Sequence, residues 1–398
     1  SKAIADIPVA NRFPHPKTWF SRENGQKAYE MMSCYEGLLE LYKVTGNPLY
    51  LSVVEKTVGH IIREEINVAG SGSAFECWYG GEERQTQPTY HTMETCVTFT
   101  WMQLCNRLLG VTGNSLYADY METAIYNALM ASLKADASQI AKYSPLEGWR
   151  HEGEEQCGMH INCCNANGPR AFAMIPQFAY QVQDDCVHIN FYAPSEADLV
   201  LPGKKSVQLK QTTDYPATDR IDIEVNPAKE TAFTIALRIP AWSKMATVSV
   251  NGQPESGVLQ GAYLPLNRKW KKGDRISIEL DLRARLIEKN QAQAIVRGPV
   301  VLARDSRFGD GFVDETSIIV SKDGYVELTP VAAPGFAWLA FTAPMVLGTD
   351  LEGDRAPKQI HFCDFASAGN TWDKTQRYRV WLPKTLNVMY SPYKPYNQ

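Results

Sequence analysis

A seven-residue motif occurs twice in the first third of the chain, and it constrains the fold more than any other feature. Residues 44–50 read Val-Thr-Gly-Asn-Pro-Leu-Tyr, and residues 111–117 read Val-Thr-Gly-Asn-Ser-Leu-Tyr. The glycine is typical of a helix C-terminus, and the proline of the first copy is typical of a helix start. The repeat therefore predicts helical hairpins, which stack into either a solenoid or a closed toroid of paired helices.

The residues around the motif have the spacing of helices. Apolar residues recur every three or four positions over residues 28–44, and a second apolar stripe runs from Leu49 to about Ile66. A later helix is predicted from about residue 168 to residue 181, with its apolar face toward the core. The first part of the chain is therefore predicted to be helical.

Beyond residue 185 the pattern alternates between apolar and polar residues, which is typical of half-buried strands. Turn sequences at residues 251–252 and 272–274 separate such strands, so an antiparallel β-sandwich is predicted from about residue 185 to residue 290. Beyond about residue 290 the pattern becomes irregular. This region is predicted to form either a second small β unit or a continuation of one extended sandwich. The predicted strands are residues 187–191, 220–225, 233–239, 275–280, 325–328 and 378–382. The predicted domains are helical residues 1–183, sandwich residues 184–290 and a C-terminal β module at 291–398.

Composition limits the classes of partner. A chain of 398 residues exceeds what one hydrophobic core usually spans, and 44% hydrophobic and 21% charged residues are ordinary for a globular protein. The net charge of −4 is dispersed, without a basic cluster for nucleic acid. No apolar run approaches the length that crosses a membrane. We therefore expect neither nucleic acid nor a membrane as a partner.

Residues 160–165 read His-Ile-Asn-Cys-Cys-Asn, and two adjacent cysteines are hard to explain by packing alone. A disulfide between sequence neighbours closes a strained ring and distorts the peptide between them. A metal site is the more economical use of Cys163 and Cys164, because zinc favours thiolate ligands. The pair predicts a metal site at a junction between a loop and a helix.

The upstream sequence Glu94-Thr95-Cys96 supplies the remaining ligands of this predicted site. Glu94 and Cys96 together with Cys163 and Cys164 complete a tetrahedron for zinc. Four filled positions are typical of structural zinc, and they argue against a hydrolase that uses zinc-bound water. A zinc-bound thiolate nevertheless stays deprotonated at neutral pH. Near a sugar it could attack the anomeric carbon, as a carboxylate does in a retaining glycosidase.

Two long polar loops, residues 69–93 and 142–163, are predicted to form the mouth of a binding site. A retaining glycosidase needs a general acid with a raised pKa, and the first loop offers Glu76, Glu82 and Glu83. Ring polar atoms can bind sugar hydroxyls, and tryptophan can stack on a sugar. The candidates for substrate contacts are Tyr143, His91, His151, His160, Trp78 and Trp149.

Four motifs spread along the chain carry a family resemblance. They are Tyr-Glu-Met-Met-Ser-Cys-Tyr-Glu-Gly-Leu at 29–38, Met-Glu-Thr-Cys at 93–96, Cys-Cys-Asn-Ala-Asn at 163–167 and Arg-Gly-Pro at 297–299. Together they resemble glycoside hydrolase family 127 and its neighbour family 146, the β-L-arabinofuranosidase-like enzymes. The resemblance covers essentially the whole chain. It implies an (α/α)6 barrel followed by β-sandwich modules.

The resemblance also implies roles for the Glu-Thr-Cys and Cys-Cys motifs. Cys163 is implied as the nucleophile, with Glu94, Cys96 and Cys164 as its companion zinc ligands. The implied reaction is retaining and passes through a glycosyl-thioether on Cys163. A zinc ion is therefore the implied cofactor, and a glycan or oligosaccharide is the implied substrate.

The resemblance leaves more than one choice for the acid/base residue and for the sugar. In the family the acid/base glutamate precedes the Glu-Thr-Cys glutamate by a loop of variable length, and the Gly- and Ser-rich context selects Glu76, with Glu82 and Glu83 as rivals. The family usually continues the cysteine pair with Pro-Pro-Asn, whereas this chain has Asn-Ala-Asn at 165–167. The implied substrate is a β-L-arabinofuranoside of a plant-derived glycan. The alternatives are an acidic pectin sugar such as aceric acid, and a non-catalytic carbohydrate-binding protein whose zinc joins two loops.

A six-pair barrel needs about twelve helices, and residues 1–183 have room for about half of them. We therefore expect the N-terminal half of the barrel to be a partner segment outside this chain. Residues 1–6 contain neither an initiator methionine nor a signal-peptide hydrophobic region, which predicts a processed or partial chain. A periplasmic or secreted location in a bacterium is favoured over the cytoplasm.

Overall fold

Helices form the first part of the chain and strands form the rest, which confirms the predicted order. The structure is a computed structural model, and it describes residues 27–87, 89–153, 155, 158, 160–348 and 356–385. Among these residues no helix is both long and apolar enough to cross a membrane. The helices are α1 (Ala28–Thr45), α2 (Pro48–Glu64), α3 (Gly81–Arg84), α4 (Thr95–Thr112), α5 (Leu116–Ala124) and α6 (Cys163–Ala179), and α5 continues as a π-helical turn, Ile125–Leu129.

The repeated motif forms the same turn in both copies, so the two predicted hairpins, α1–α2 and α4–α5, are confirmed. Gly46 and Gly113 both have φ of 68°, and each N–H donates to the carbonyl four residues earlier at 2.8 Å. Asn47 and Asn114 each accept the N–H two residues further on, at 3.0 and 3.1 Å. This arrangement ends one helix and caps the next.

The helices pack in two layers. Helix α4 lies between α1 and α6, while α2 packs against α1 and α5 packs against α4. Buried residues from five of the helices share one hydrophobic core, including Leu38, Val58, Trp101, Met121 and Phe178. The layers place the N-terminal ends of α1, α4 and α6 side by side.

Helix α6 begins five residues earlier than the sequence predicts, so the predicted start at residue 168 is wrong. Asn162 accepts the N–H of Cys164 at 3.0 Å, and Asn165 accepts the N–H of Asn162 at 2.8 Å. This reciprocal capping starts the helix at Cys163. The cysteine pair therefore lies at a loop-to-helix junction, as predicted.

Two sheets pack face to face as a β-sandwich after α6. Their orders are β10-β7-β3-β2 and β4-β5-β6-β11-β8-β9. Apolar residues of both sheets, including Val187, Ile235, Ile223 and Ile276, share one core. The first eleven strands are β1 (Glu147–Gly148), β2 (Tyr180–Gln183), β3 (Cys186–Ile189), β4 (Ser195–Leu201), β5 (Lys205–Thr213), β6 (Arg220–Pro227), β7 (Thr231–Ile239), β8 (Thr247–Val250), β9 (Gln253–Pro254), β10 (Ala262–Trp270) and β11 (Asp274–Glu279).

One strand pair departs from the predicted antiparallel arrangement. Strands β3 and β7 run parallel, whereas the other neighbours in these two sheets are antiparallel. The long connection between β3 and β7, which forms strands of the second sheet, lets the chain return in the same direction. The predicted turn at residues 251–252 is confirmed, with φ of 50° at Asn251 and 79° at Gly252.

The C-terminal residues form a third sheet, whose main order is β15-β18-β19-β14-β13-β12-β16. One face, with Ala294 and Val296, packs against Ala69, Met93 and Ala128 of the helical part. Strand β1 of the helical part also pairs with β20. The strands are β12 (Ala284–Lys289), β13 (Ala292–Arg297), β14 (Val300–Asp305), β15 (Ser317–Ile319), β16 (Tyr325–Val326), β17 (Thr329–Pro330), β18 (Ala340–Leu347), β19 (Lys358–Asp364), β20 (Tyr378–Arg379) and β21 (Leu382–Pro383).

Candidate active site and metal centre

Two helix N-termini position the four predicted metal ligands. Glu94 directly precedes α4 and Cys96 is the second residue of that helix, whereas Cys163 and Cys164 are the first two residues of α6. Side chains in a first helical turn lean back toward the helix N-terminus. Because α4 and α6 lie side by side, their ligands converge on one point.

Loop segments next to these helices are held together by backbone hydrogen bonds. The N–H of Phe75 donates to the carbonyl of His91 at 2.9 Å, and Glu94 forms an antiparallel bridge with Tyr143. Both long loops identified in the sequence therefore meet beside the start of α4. This contact brings Glu76, His91 and Tyr143, which are candidate residues of the two loops, to one rim.

The four ligand atoms form a compact group. The Sγ of Cys96 lies 3.1 Å from that of Cys163 and 3.3 Å from that of Cys164. The Oε1 of Glu94 lies 3.4 Å from the Sγ of Cys163 and 3.7 Å from the Sγ of Cys164. All four ligand atoms lie within 4.8 Å of one another, so the group could hold a metal ion.

Burial distinguishes one member of the group from the other three. Glu94, Cys96 and Cys164 are buried, whereas Cys163 is exposed. Burial raises the pKa of Glu94 to about 8, and the nearby charges of Glu76 and Cys163 act in the same direction. Hydrogen bonds from Cys164 and Cys96 lower the pKa of Cys163 well below that of a free thiol. The thiol with the lowered pKa is therefore the exposed one.

The donor set fits zinc. Three thiol groups and one carboxylate are ligands that zinc takes in a tetrahedral site, while hard cations prefer oxygen alone. With Zn–S bonds of about 2.3 Å, tetrahedral sulfur ligands lie about 3.8 Å apart. The sulfur atoms at 3.1 and 3.3 Å are already near that separation. Increases of about 0.5 to 0.7 Å in these separations would bring them to it.

We expect the purified protein to contain about one zinc ion per chain, because the four ligands are already assembled. Glu94→Ala and Cys164→Ala each remove one buried ligand. Loss of a residue that only supports a metal ligand typically lowers metal affinity roughly 10- to 100-fold. Each of these two variants should weaken zinc binding by more than that. Metal content after dialysis, measured by inductively coupled plasma mass spectrometry, checks this. Cys105→Ala, which changes a buried cysteine elsewhere in α4, should keep its zinc. A zinc-free wild-type protein prepared without chelator and under reducing conditions would contradict the prediction.

Glu76 lies at the same rim, between two lysines. Its carboxylate pairs with the Nζ of Lys142 at 2.8 Å and with the Nζ of Lys27. Burial raises the pKa of Glu76, but the hydrogen bonds from Lys142 and Lys27 outweigh that effect and leave the pKa below its ordinary value. This direction is opposite to the raised pKa expected of a resting general acid.

The two rival glutamates contact the third sheet. Glu82 binds the Nζ of Lys289 at 2.8 Å, and the carbonyl of Glu83 accepts from Asn290 at 2.9 Å. Both glutamates lie on α3, which contacts the turn after β12. The charge of Glu76 acts on Glu94, which places Glu76 beside the predicted metal ligands.

Two of the predicted substrate-binding residues lie beside Glu76. The ring of His91 stacks on Phe75 with a centroid distance of 4.5 Å, and it meets the ring of Tyr143 edge-on at 5.1 Å. The Nζ of Lys142 lies 5.4 Å from the centroid of the Tyr143 ring. His91 and Tyr143 therefore border the rim that carries Glu76.

Trp78 and His160, which were also predicted to contact the substrate, have other surroundings. Trp78 is fully buried in the core between the helices, because its large apolar ring packs there, and this placement argues against the predicted sugar contact. The side chain of His160 is 90% exposed and pairs with Glu155 at 2.8 Å. The predicted contact of His160 with a substrate stays a prediction.

Sequence reasoning missed the two lysines that hold Glu76. Lys142 begins the second of the long polar loops, so its place next to Tyr143 was a usable signal. Lys27 gave no such signal, because it reaches Glu76 through a backbone bridge between Lys27 and Cys77 that joins distant parts of the chain.

Two models of one family match this chain. The model described as "Beta-L-arabinofuranosidase, GH127 catalytic domain" matches residues 10–177. The model described as "Beta-L-arabinofuranosidase, GH127 middle domain" matches residues 186–282. Together they cover more than half of the chain.

A curated relative and solved structures agree with these matches. The chain is 24% identical over 231 residues to a non-reducing end β-L-arabinofuranosidase of Bifidobacterium longum, a match that covers 52% of this chain and 34% of the relative. A solved GH127 β-arabinofuranosidase aligns with a TM-score of 0.78 and 23% identity, covering 90% of this chain and 60% of its own.

A GH127 β-L-arabinofuranosidase of Geobacillus stearothermophilus T6 aligns with a TM-score of 0.74 and 19% identity, covering 96% of this chain and 65% of its own. At these identities the structural likeness shows the fold. This chain therefore spans about a third of the curated relative and less than two thirds of either solved structure. From the matches of both family models, the chain belongs to glycoside hydrolase family 127.

Proposed function

We propose that this chain is part of a zinc-dependent retaining glycoside hydrolase that removes β-L-arabinofuranosyl groups from glycans, with Cys163 as the nucleophile. The observation that carries the proposal is that Cys163 alone among the four metal ligands is exposed. A purely structural metal needs no exposed thiolate. The similar proteins described above are β-L-arabinofuranosidases, which supports the choice of sugar.

The proposed reaction has two steps. First, the thiolate of Cys163 attacks the anomeric carbon, a C–S bond forms, the glycosidic C–O bond breaks, and Glu76 gives its proton to the leaving oxygen. Next, Glu76 takes a proton from water, whose oxygen attacks the same carbon, and the C–S bond breaks. Zinc held by Glu94, Cys96, Cys163 and Cys164 would keep the nucleophile deprotonated. Two inversions at one carbon retain its configuration.

The lysines beside Glu76 suit the second step. Lys142 and Lys27 favour the ionised carboxylate, which is the form that accepts a proton from water. They also hold the carboxylate in one place at the rim. The protonated form that the first step needs is correspondingly less populated.

Glu76→Gln should reduce kcat for methyl β-L-arabinofuranoside by about 10²- to 10⁴-fold, because it removes proton transfer in both steps. Release of L-arabinose, followed by nuclear magnetic resonance, gives the rate and the configuration of the first product. We expect retention in the wild type. Glu82→Gln is the matched control, and it should change kcat less than about twofold because Glu82 binds Lys289 instead. Wild-type turnover by Glu76→Gln would rule out this acid/base assignment, and binding without any turnover would favour a carbohydrate-binding protein.

An acidic sugar such as aceric acid is the second candidate substrate. The amino groups of Lys27 and Lys142 lie at the rim and could also pair with a sugar carboxylate. Faster turnover of an acidic glycoside than of the neutral arabinofuranoside would favour this candidate. We also propose that the helices belong to an (α/α)6 barrel, and that the enzyme works in the periplasm or outside a bacterial cell.

A further inference from the structure

Two aromatic rings lie side by side, one from each of the two long loops, and neither belongs to the groups that the proposed reaction uses. Tyr90 is 47% exposed, and its ring centroid lies 5.5 Å from that of Trp149, with 35° between the planes. The guanidinium of the exposed Arg377 covers the Trp149 ring at 4.3 Å. We call Tyr90, Trp149 and Arg377 the aromatic platform.

The backbone holds the Tyr90 ring in place. Gly148 has φ of 95°, and a Cβ at this position would lie only 2.9 Å from the Tyr90 ring. A ring can approach the backbone this closely because residue 148 has no side chain. Tyr90 therefore rests on β1, and its exposed area is part of a fixed surface.

Charged groups of both signs surround the aromatic platform. Arg379 binds Glu147 at 3.2 Å and Asp314 at 2.8 Å. The charges of Glu147, Asp314, Arg377 and Arg379 all act on the hydroxyl group of Tyr90. Two carboxylates balance two guanidinium groups, so the surface favours a neutral ligand with many hydrogen-bonding groups over an ion. An aromatic face bordered by such groups is suited to a sugar, which offers C–H groups on its faces and hydroxyls at its edge.

The aromatic platform is linked through the backbone to the segment that carries Glu76. Tyr90 precedes His91, whose carbonyl accepts the N–H of Phe75, and Phe75 precedes Glu76. The proposed general acid protonates the leaving oxygen, so the leaving group must lie on its side. The next sugar of a glycan would extend from there along the rim.

We infer that the aromatic platform binds a neutral sugar of the leaving group, so that the substrate is an oligosaccharide rather than an isolated arabinofuranoside. The inference rests on the proposed function and adds a substrate class to it. The third sheet takes part in recognition, because Arg377, Arg379 and Asp314 belong to it or to its connections. The pairing of β1 with β20 fixes these residues against the catalytic loops.

The test compares two substrates that share the same β-L-arabinofuranosyl group. One is the methyl glycoside, and the other is a β-L-arabinofuranosyl trisaccharide. Trp149→Ala and Tyr90→Ala should each lower kcat/KM for the trisaccharide by about tenfold and leave the methyl glycoside within about twofold. Tyr90→Phe keeps the ring and should keep most of the trisaccharide activity. Trp338→Ala, which changes a 44% exposed tryptophan in the connection between β17 and β18, should affect neither substrate.

Equal losses on both substrates, or no loss on the trisaccharide, would overturn the inference. If the wild type turned over neither glycoside, the proposed hydrolase function would fail, but the inferred sugar-binding role of the aromatic platform could still be tested. Binding of the trisaccharide would then be measured by calorimetric titration instead of kinetics. Weaker trisaccharide binding by Trp149→Ala than by Trp338→Ala would then support the aromatic platform. Equal binding by these variants and the wild type, or no binding by the wild type, would overturn it.

Discussion

Cys163→Ser is expected to lower kcat for methyl β-L-arabinofuranoside by about 10⁴-fold or more, because a serine hydroxyl replaces the attacking thiolate. Of the four ligands, Cys163 alone is exposed, and its pKa is lowered by hydrogen bonds from Cys164 and Cys96. Its position at the first residue of α6 also favours a negative charge. Initial rates of L-arabinose release for the wild type and the variant give the measurement.

The same substitution also changes a predicted metal ligand, so a matched variant is required. Cys164→Ser alters a buried ligand of the same group and leaves the exposed thiol in place. We expect both variants to lose zinc affinity, but only Cys163→Ser to lose the covalent intermediate. Mass spectrometry of wild-type protein and of Cys164→Ser loaded with zinc, quenched during turnover, should find a pentosyl adduct on the peptide with Cys163. An adduct on another residue, or full activity of Cys163→Ser, would eliminate Cys163 as the nucleophile.

A buried ion-pair network joins the helical part to the β-sandwich. Arg238 on β7 is fully buried and donates to Asp119 and to Glu122 of α5, the latter at 2.6 Å. Tyr215 also donates to Glu122, at 2.8 Å. Burial raises the pKa of Asp119, while the charge of Arg238 opposes that effect. The network fixes the sandwich against α5, the hairpin partner of the helix that carries Cys96.

Arg238→Met should lower the free energy of unfolding by about 3–5 kcal/mol, because it leaves two buried carboxylates without their cation. The urea midpoint of the tryptophan fluorescence transition checks this. Arg220→Met is the matched control, since Arg220 is an exposed arginine of the neighbouring sheet that pairs with Asp222. The control should cost less than about 1 kcal/mol.

A further variant separates loss of packing from loss of charge balance. Adding Asp119→Asn and Glu122→Gln to Arg238→Met removes the two uncompensated charges, so it should recover part of the lost stability. No difference between Arg238→Met and Arg220→Met would show that the network contributes little. No recovery in the triple variant would assign the effect to packing of the arginine side chain.

Local chemistry made a large part of the fold predictable. The repeated motif predicted two hairpins because a glycine in the left-handed backbone conformation ends a helix through local hydrogen bonds. The glycines of both copies, Gly46 and Gly113, have this conformation, with φ of 68°. Alternation predicted strands such as β6 and β7, since one face of each is buried. The start of α6 was misplaced, because it depends on reciprocal hydrogen bonds of Asn162 and Asn165 that spacing does not reveal.

For the candidate site, too, the sequence predicted some properties and left others to the tertiary structure. The sequence by itself predicted which four residues could hold a metal ion, because their residue types restrict the chemistry and adjacent thiols have few other uses. Only the tertiary structure decided that Cys163 is exposed, that two lysines pair with Glu76 and lower its pKa, and that Trp78 is in the core. These properties depend on contacts between segments that are distant in sequence. The ion pair of Lys27 with Glu76 is such a contact, and it arises from the packing of the whole chain rather than from the residues next to either partner.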